Sequence, residues 1–274
     1  MEVNFRTGVF HFTMEPRLVA IERLLKIMDE LREKCPWDRK QTIESLRHLS
    51  IEEVYELSDA ILEGDPQKIK KELGDVLLHI VFYARIGSEK RDFDLADIAN
   101  SLCEKLISRH PHIYGTVDGE LKEVVTEEDV KQNWEKLKLR EGEKSVLSGV
   151  PVSLPAMIKA QRIQEKAAGV GFDWERPEQV YEKVEEELRE LNVEVEAKHQ
   201  LKMEQEFGDV LFALINYARF IGVNPEDALE KTNRKFIKRF QYMEERVKED
   251  GKKISDYDLK QLDVFWEQAK LKGE

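Results

Sequence analysis

The chain repeats itself across a long interval. Glu72-Leu73-Gly74-Asp75-Val76-Leu77 returns as Glu206-Phe207-Gly208-Asp209-Val210-Leu211, a shift of 134 positions. Tyr83-Ala84-Arg85 returns as Tyr217-Ala218-Arg219, and Glu52-Glu53-x-x-Glu56 returns as Glu186-Glu187-x-x-Glu190, both at that same shift. Further on, Lys105-x-x-x-Arg109 matches Lys235-x-x-x-Arg239 at a shift of 130, and Trp134-x-x-x-Lys138 matches Trp266-x-x-x-Lys270 at 132. Solenoid repeats are far shorter, roughly 20–50 residues, and come in arrays. One repeat of this length is a domain-sized module duplicated once, and 274 residues is room for two.

Each module reads as helical. Apolar residues recur at three- and four-residue intervals, glycine and proline gather between the periodic stretches, and alternating strand patterns are scarce. The spacing predicts helices over 16–34, 42–62, 66–88, 94–109 and 127–140, then over 156–168, 177–197, 200–221, 225–249 and 256–271. Pro66, Pro177 and Pro225 fall at helix starts, where the missing N–H has no intrahelical partner to lose. Gly142, Gly149, Pro151 and Pro155 break the periodicity between the halves. The expected fold is all-α: an N-terminal extension over 1–14, a first helical module over 15–141, a linker over 142–155 and a second module over 156–274. The extension, with Val3, Phe5, Val9, Phe10 and Phe12, reads as a loose strand or an arm, and Met14 as an alternative start.

Composition narrows the function classes. The net charge is −12 with 36% charged residues, so a phosphate backbone is repelled and nucleic acid is not the expected partner. A phosphate-bearing ligand would need bound cations or a local basic cluster. No apolar run approaches the roughly 20 residues that span a bilayer, and Met1–Thr13 lacks an apolar signal core. The two cysteines, Cys35 and Cys103, have no metal-type spacing and form no disulfide framework, which fits a reducing cytoplasm.

The acids carry the chemistry. Glu53 and Glu56 are three apart, so they are neighbours on one helix face, as are Glu72 and Asp75 on the next helix. Val54, Leu57 and Ile61, and Leu73, Val76, Leu77 and Ile80, form adjacent apolar stripes that are expected to pack together as an antiparallel pair, bringing four carboxylates to the edge of the seam. The second module repeats this with Glu187, Glu190, Glu206 and Asp209 beside Val184, Leu188, Leu191, Val210, Leu211 and Leu214. In both copies the two acid pairs are separated by the same 16 residues, Glu56 to Glu72 and Glu190 to Glu206. A glutamate-rich helix can carry acids merely to solvate a face, but a matched gap in two copies argues for a built site. Four clustered carboxylates require raised pKa values or a cation. Carboxylates with open coordination positions suit Mg²⁺. A di-iron bundle would need two Glu-x-x-His pairs, and only Glu196 to His199 fits. Gly74 and Gly208, inside their helices, are expected to mark a close helix approach.

Lys105 and Arg109, and Lys235 and Arg239, share helix faces and are candidates to offset phosphate charge. Trp134 with Lys138, and Trp266 with Lys270, pair a ring with a cation, either to hold a nucleotide or as core tryptophans with snorkelling lysines. Trp37 and Trp174 stand just before the acidic helices, as pocket walls or core plugs, and His79 lies one turn beyond Asp75.

Taken together, EExxE followed by ExxD, then K-x-x-x-R and W-x-x-x-K, resembles the MazG family of all-α nucleoside triphosphate pyrophosphohydrolases. The resemblance runs from about Met14 onward and includes Cys35-Pro36-Trp37-Asp38, Arg109-His110-Pro111-His112 and Val170-Gly171-Phe172-Asp173-Trp174. It implies Mg²⁺-dependent cleavage between the α- and β-phosphates of nucleoside triphosphates, with Mn²⁺ as an alternative ion, broad base tolerance, a homodimer and a role in nucleotide pools. It implies metal ligation by Glu187, Glu190, Glu206 and Asp209, and by Glu53, Glu56, Glu72 and Asp75 in the first module. Asn233, Lys235, Arg239, Trp266, Lys270 and Trp174 become substrate contacts, and Lys235, Arg239 and Lys270 also act in catalysis. Glu186 or Glu187 is the candidate base. Where the second module has Asn233 the first has Cys103, so the second is the expected catalytic unit. The first is either a second site or a dimerisation platform open to a regulatory protein partner.

Overall fold

A computed structural model describes residues 15–115 and 145–273, together with Val124, Thr126, Asp129, Val130, Asn133, Trp134 and Leu137. The chain divides into two compact units, Met1–Gly115 and Thr116–Glu274. In the first, α1 (Pro16–Lys34) is followed by a 3-10 turn, α2 (Ile43–Glu63), α3 (Pro66–Lys90), α4 (Leu95–Arg109) and the single turn α5 (Pro111–Tyr114). In the second come α6 (Ala156–Gly169), α7 (Pro177–Ala197), α8 (Gln200–Phe220), α9 (Pro225–Glu249), another 3-10 turn and α10 (Leu259–Leu271). The predicted helix over 127–140 and the N-terminal extension lie largely or wholly outside the described residues. No described helix is long and apolar enough to cross a membrane.

Local chemistry sets the helix ends. The Thr42 hydroxyl accepts from the Ser45 amide, and the Ser45 hydroxyl accepts from the Thr42 amide, which closes the first turn of α2. Gly64 ends α2 in the left-handed region at φ 71°, and Asp65 then caps α3, which begins at Pro66. Between α7 and α8 the same reversal is made by Lys198 at φ 57° and His199. These two-residue connections make α2–α3 and α7–α8 tight antiparallel hairpins.

In the first unit, Met28, Leu46, Val81, Phe82 and Ile86 form a buried core where α1 crosses the hairpin. Arg32 on α1 clamps Glu89 on α3 through two hydrogen bonds of 2.8 and 3.0 Å. In the second unit the interior of the α7–α8 hairpin holds Val180, Val184, Val210 and Ala213, while Met243, Val247 and Ala269 are buried on α9 and α10. Lys166 on α6 is almost fully buried, and its ammonium donates to the Val146 carbonyl at 2.9 Å.

The hairpins are rotated from the expected arrangement. Val54, Ile61, Leu73, Leu77 and Ile80 are exposed, as are Leu188, Leu211 and Leu214. Along α2 and α3 the inward line instead carries Leu46, Ser50, Glu53, Leu57 and Ala60 against Glu72, Asp75, His79 and Phe82. The acids therefore stand in the seam itself, and most of the apolar stripe turns outward. The glycines also differ from expectation. A Cβ built on Gly74 or Gly208 would meet nothing within 4 Å, so neither marks a close approach, whereas at Gly87 it would fall 2.6 Å from the Phe93 ring. Alanine at Gly74 or Gly208 is expected to raise stability by about 1 kcal/mol. Alanine at Gly87 is expected to lower it by about 1–3 kcal/mol through overpacking, both read from denaturant unfolding midpoints.

Candidate functional site

The acid spacing has a geometric cause. Gly64 is the midpoint of both Glu56–Glu72 and Glu53–Asp75, and Lys198 is the midpoint of both Glu190–Glu206 and Glu187–Asp209. Each hairpin folds back at its midpoint residue, so acids equally distant along the two arms arrive at the same height. At 1.5 Å rise per residue, the inner pair of each quartet lies about 12 Å from the turn. As a result, carboxylate oxygens of Glu53, Glu56 and Glu72 all lie within 4.8 Å of one another, and so do those of Glu187, Glu190 and Glu206. Asp75 and Asp209, one turn further along, lie outside these converging trios but close enough for their charges to act on Glu53 and Glu206.

The electrostatics are those of crowded like charges. Burial raises the pKa of Glu53, and the Asp75, Glu56 and Glu72 carboxylates raise it further. Glu206 is raised by desolvation and then by Glu190, Asp209 and Glu187. Glu72 is buried, and its Oε2 has no hydrogen-bond partner. A lysine ammonium partly neutralises each cluster. Lys71 lies 3.0 Å from Glu72 Oε1 and 3.5 Å from Asp75 Oδ2. Lys183 lies 2.7 Å from Glu187 and 2.8 Å from Glu186, and hydrogen bonds to those two carboxylates push its pKa above the ordinary lysine value. Glu187 belongs to the converging trio and is buried. Glu186 is exposed on the outer side of Lys183.

Next to the second quartet is a cavity of about 590 Å³. Lys183, Glu187 and Asp209 are among its lining residues, with the apolar Leu147, Phe172 and Trp174 and the charged Asp173 and Arg219. Trp174 is placed by its neighbour Asp173, which binds the Arg219 guanidinium through both carboxylate oxygens at 2.8 and 2.5 Å. The sequence reading missed Gln164 and Asn216, which also line this cavity. Only their polarity amid the apolar residues of α6 and α8 could have signalled them.

The basic and aromatic candidates sit on α9 and α10. Asn233 donates to Glu230, and Lys270 lies 2.5 Å from Glu267. The Arg239 guanidinium is 5.8 Å from the Trp266 ring, which packs against Phe236 with centroids 5.0 Å apart. Lys235 is exposed on α9. In the first unit, exposed Lys105 and partly buried Arg109 share α4, while Lys138 falls outside the described residues.

The chain matches the MazG nucleotide pyrophosphohydrolase domain twice, over residues 41–114 and 175–243. Each match begins just before an acid-bearing hairpin. Over 257 residues the chain is 47% identical to the nucleoside triphosphate pyrophosphohydrolase/pyrophosphatase MazG of Thermotoga maritima, covering 92% of this chain and 96% of that protein. It is 39% identical over 259 residues to the nucleoside triphosphate pyrophosphohydrolase of Escherichia coli K12, covering 91% and 97%. A crystal structure of a mazG-related protein from Thermotoga maritima aligns at 27% identity and a TM-score of 0.37, over 43% of this chain and 98% of that one.

The two seams differ beyond their acids. In the first, His79 Nδ1 lies 2.9 Å from the Ser50 hydroxyl, which also lies 2.7 Å from the Tyr83 hydroxyl and 3.0 Å from the Leu46 carbonyl. His79 Nε2 stands 4.0 Å from Glu53, yet burial lowers the imidazole pKa, so the ring is neutral at pH 7. Ser50→Ala would strip a partner from His79 and from Tyr83 at once. The expected cost is about 1–3 kcal/mol, read from urea unfolding.

Proposed function

The chain belongs to the MazG nucleotide pyrophosphohydrolase family, and on that footing we propose that it hydrolyses nucleoside triphosphates between the α- and β-phosphates, releasing a nucleoside monophosphate and pyrophosphate. One observation carries the reading to this chain's own residues: each acidic hairpin holds three glutamate oxygens within 4.8 Å of one another. The unpaired Glu72 Oε2 and the raised pKa values of Glu53 and Glu206 mark these clusters as short of positive charge. An all-carboxylate donor set of this kind fits Mg²⁺, with Mn²⁺ as a substitute. Glu187, Glu190, Glu206 and Asp209 would hold the ion in the second unit, and Glu53, Glu56, Glu72 and Asp75 in the first. When bound, it supplies charge neutralisation for the phosphates and acidifies the attacking water.

The remaining chemistry falls to side chains. Glu187, or Glu186 on the far side of Lys183, accepts the proton of the attacking water. Lys183 keeps its proton at neutral pH and places a positive charge beside Glu187 on the cavity wall. Lys235, Arg239 and Lys270 are assigned to the phosphates and the leaving pyrophosphate, and Asn233, Trp266 and Trp174 to the nucleoside. The exposed outer stripe of Val54, Ile61, Leu73, Leu77 and Ile80 favours a homodimer, because a second copy would cover it. A cytoplasmic nucleotide-pool role with broad base tolerance completes the reading.

A second reading applies to the first unit alone: a dimerisation or regulatory platform that does not turn over substrate. It is favoured by Phe82 and His79, buried where the second unit has Asn216 and Ala213.

Glu190→Ala and Asp209→Ala should each lower pyrophosphate release from triphosphates with Mg²⁺ by at least about 100-fold, with helical circular dichroism intact. Full activity in either variant sinks the site assignment. Absence of pyrophosphate from every triphosphate tested would leave a non-enzymatic helical scaffold. The Glu56→Ala, Asp75→Ala double variant should leave the kinetics unchanged, and a halved rate would make the first unit a working site. Mg²⁺ at about 100 times its dissociation constant should stabilise the protein by about 2.7 kcal/mol, seen as a rise in Tm that shrinks in Glu190→Ala.

A further inference from the structure

The cavity beside the second quartet has a polar wall that the proposed chemistry does not use. The Gln164 side chain is 6% exposed, and its Nε2 donates to the Phe212 carbonyl at 2.8 Å. That bond fixes the orientation of the amide, because only the NH₂ end can donate to a carbonyl. Gln164 Oε1 is then left buried with no hydrogen-bond partner. Across the cavity wall, on α8, Asn216 Oδ1 accepts from Arg219 at 3.2 and 2.9 Å, so the amide NH₂ is the group Asn216 can offer to a ligand. Gln164 and Asn216 thus both line a cavity that they share with the aromatic Phe172 and Trp174, the ion pair of Asp173 with Arg219 and the acids Glu187 and Asp209.

We infer that this cavity receives the nucleobase of the triphosphate, with Gln164 Oε1 accepting from the base and Asn216 donating to it. The inference rests on the hydrolase reading for its choice of ligand. A base is flat and apolar on its faces, which suits Phe172 and Trp174, and polar along its edge, which suits the two amides. The cavity volume of about 590 Å³ lies within the range of small-molecule sites. A buried carbonyl without a donor is unfavourable, and an entering N–H relieves it. Adenine and cytosine carry an amino group on the pairing edge, and guanine, uracil and thymine carry a ring N–H there. A single carbonyl acceptor therefore serves every common base, which gives broad base tolerance a structural cause.

The first unit supports the assignment by contrast. At the positions 134 earlier, Phe82 replaces Asn216, His79 replaces Ala213 and Leu49 replaces Lys183. Phe82 is 3% exposed and belongs to that unit's core, so the corresponding wall is solid packing. Where Asn216 borders the cavity of the second hairpin, the first hairpin thus places a buried aromatic ring.

The test uses the full chain and three probes: ATP, purine riboside triphosphate, whose base has no N–H on the pairing edge, and inorganic tripolyphosphate, which has no base. The wild type is expected to favour ATP over purine riboside triphosphate by about 10- to 100-fold, mostly in KM. Gln164→Met should bring that preference close to one and leave inhibition by tripolyphosphate unchanged. Ala213→His, which copies the first unit, should weaken ATP and spare tripolyphosphate, and it covers the case in which Gln164→Met does not fold. Calorimetric titration of ATP repeats the comparison without turnover. Equal handling of the two nucleotides by the wild type overturns the inference, as does a Gln164→Met effect on tripolyphosphate as large as that on ATP. Pyrophosphate release without Gln164 dependence would sink the base pocket alone. Gln164-dependent ATP binding without pyrophosphate release would sink the hydrolase reading alone.

Discussion

Like charges held in a helix–helix seam govern this structure. Glu72 and Glu187 are buried between antiparallel helices, each within reach of two further glutamates. Such a seam is costly in carboxylates alone, since each charge loses water and gains repulsion. The protein keeps it because apolar packing holds the hairpin elsewhere along its length: Leu46 and Phe82 in the first unit, Val180 and Val184 in the second. Lys71 and Lys183 relieve part of the repulsion from the rim. The remaining deficit of positive charge is the ground on which a bound cation is proposed.

The duplicated hairpins have diverged at the wall beside the acids. In the first unit, His79, Ser50 and Tyr83 form a closed hydrogen-bonded set above Glu53, and Phe82 packs into the core. In the second, Ala213 and Asn216 take those places, and a cavity opens that leads to Glu187 and Asp209. The change is one of side-chain volume on an unchanged backbone plan.

Much of this was legible in the residues. The prolines at α3, α7 and α9 appear in the structure at the first position of each helix, because proline's fixed φ and missing N–H suit that position. Three glutamates of each quartet converge as their spacing implied, and the midpoint rule about Gly64 and Lys198 explains why 16 residues recur. The stripes were less legible. Val54, Ile61, Leu73 and Leu77 are apolar at helical intervals, yet they face outward. Periodicity identifies that a face is apolar but not what covers it, and in this hairpin the contact line runs through the acids. Gly74 and Gly208 misled for a related reason: a repeated glycine suggests crowding, but the space around it is open.

By itself the sequence determined the duplication, the helices and the pairing of acids across each turn, since these follow from intervals along one chain and the chemistry of adjacent residues. Tertiary structure decided which face of each hairpin is inside, and that a cavity lined by Gln164, whose carbonyl is unpaired, adjoins the second hairpin. Gln164 and Phe212 lie 48 residues apart, and the bond between them exists only once α6 packs on α8. Burial and orphaned polar atoms depend on which distant surfaces meet, and interval patterns along the chain do not contain that information.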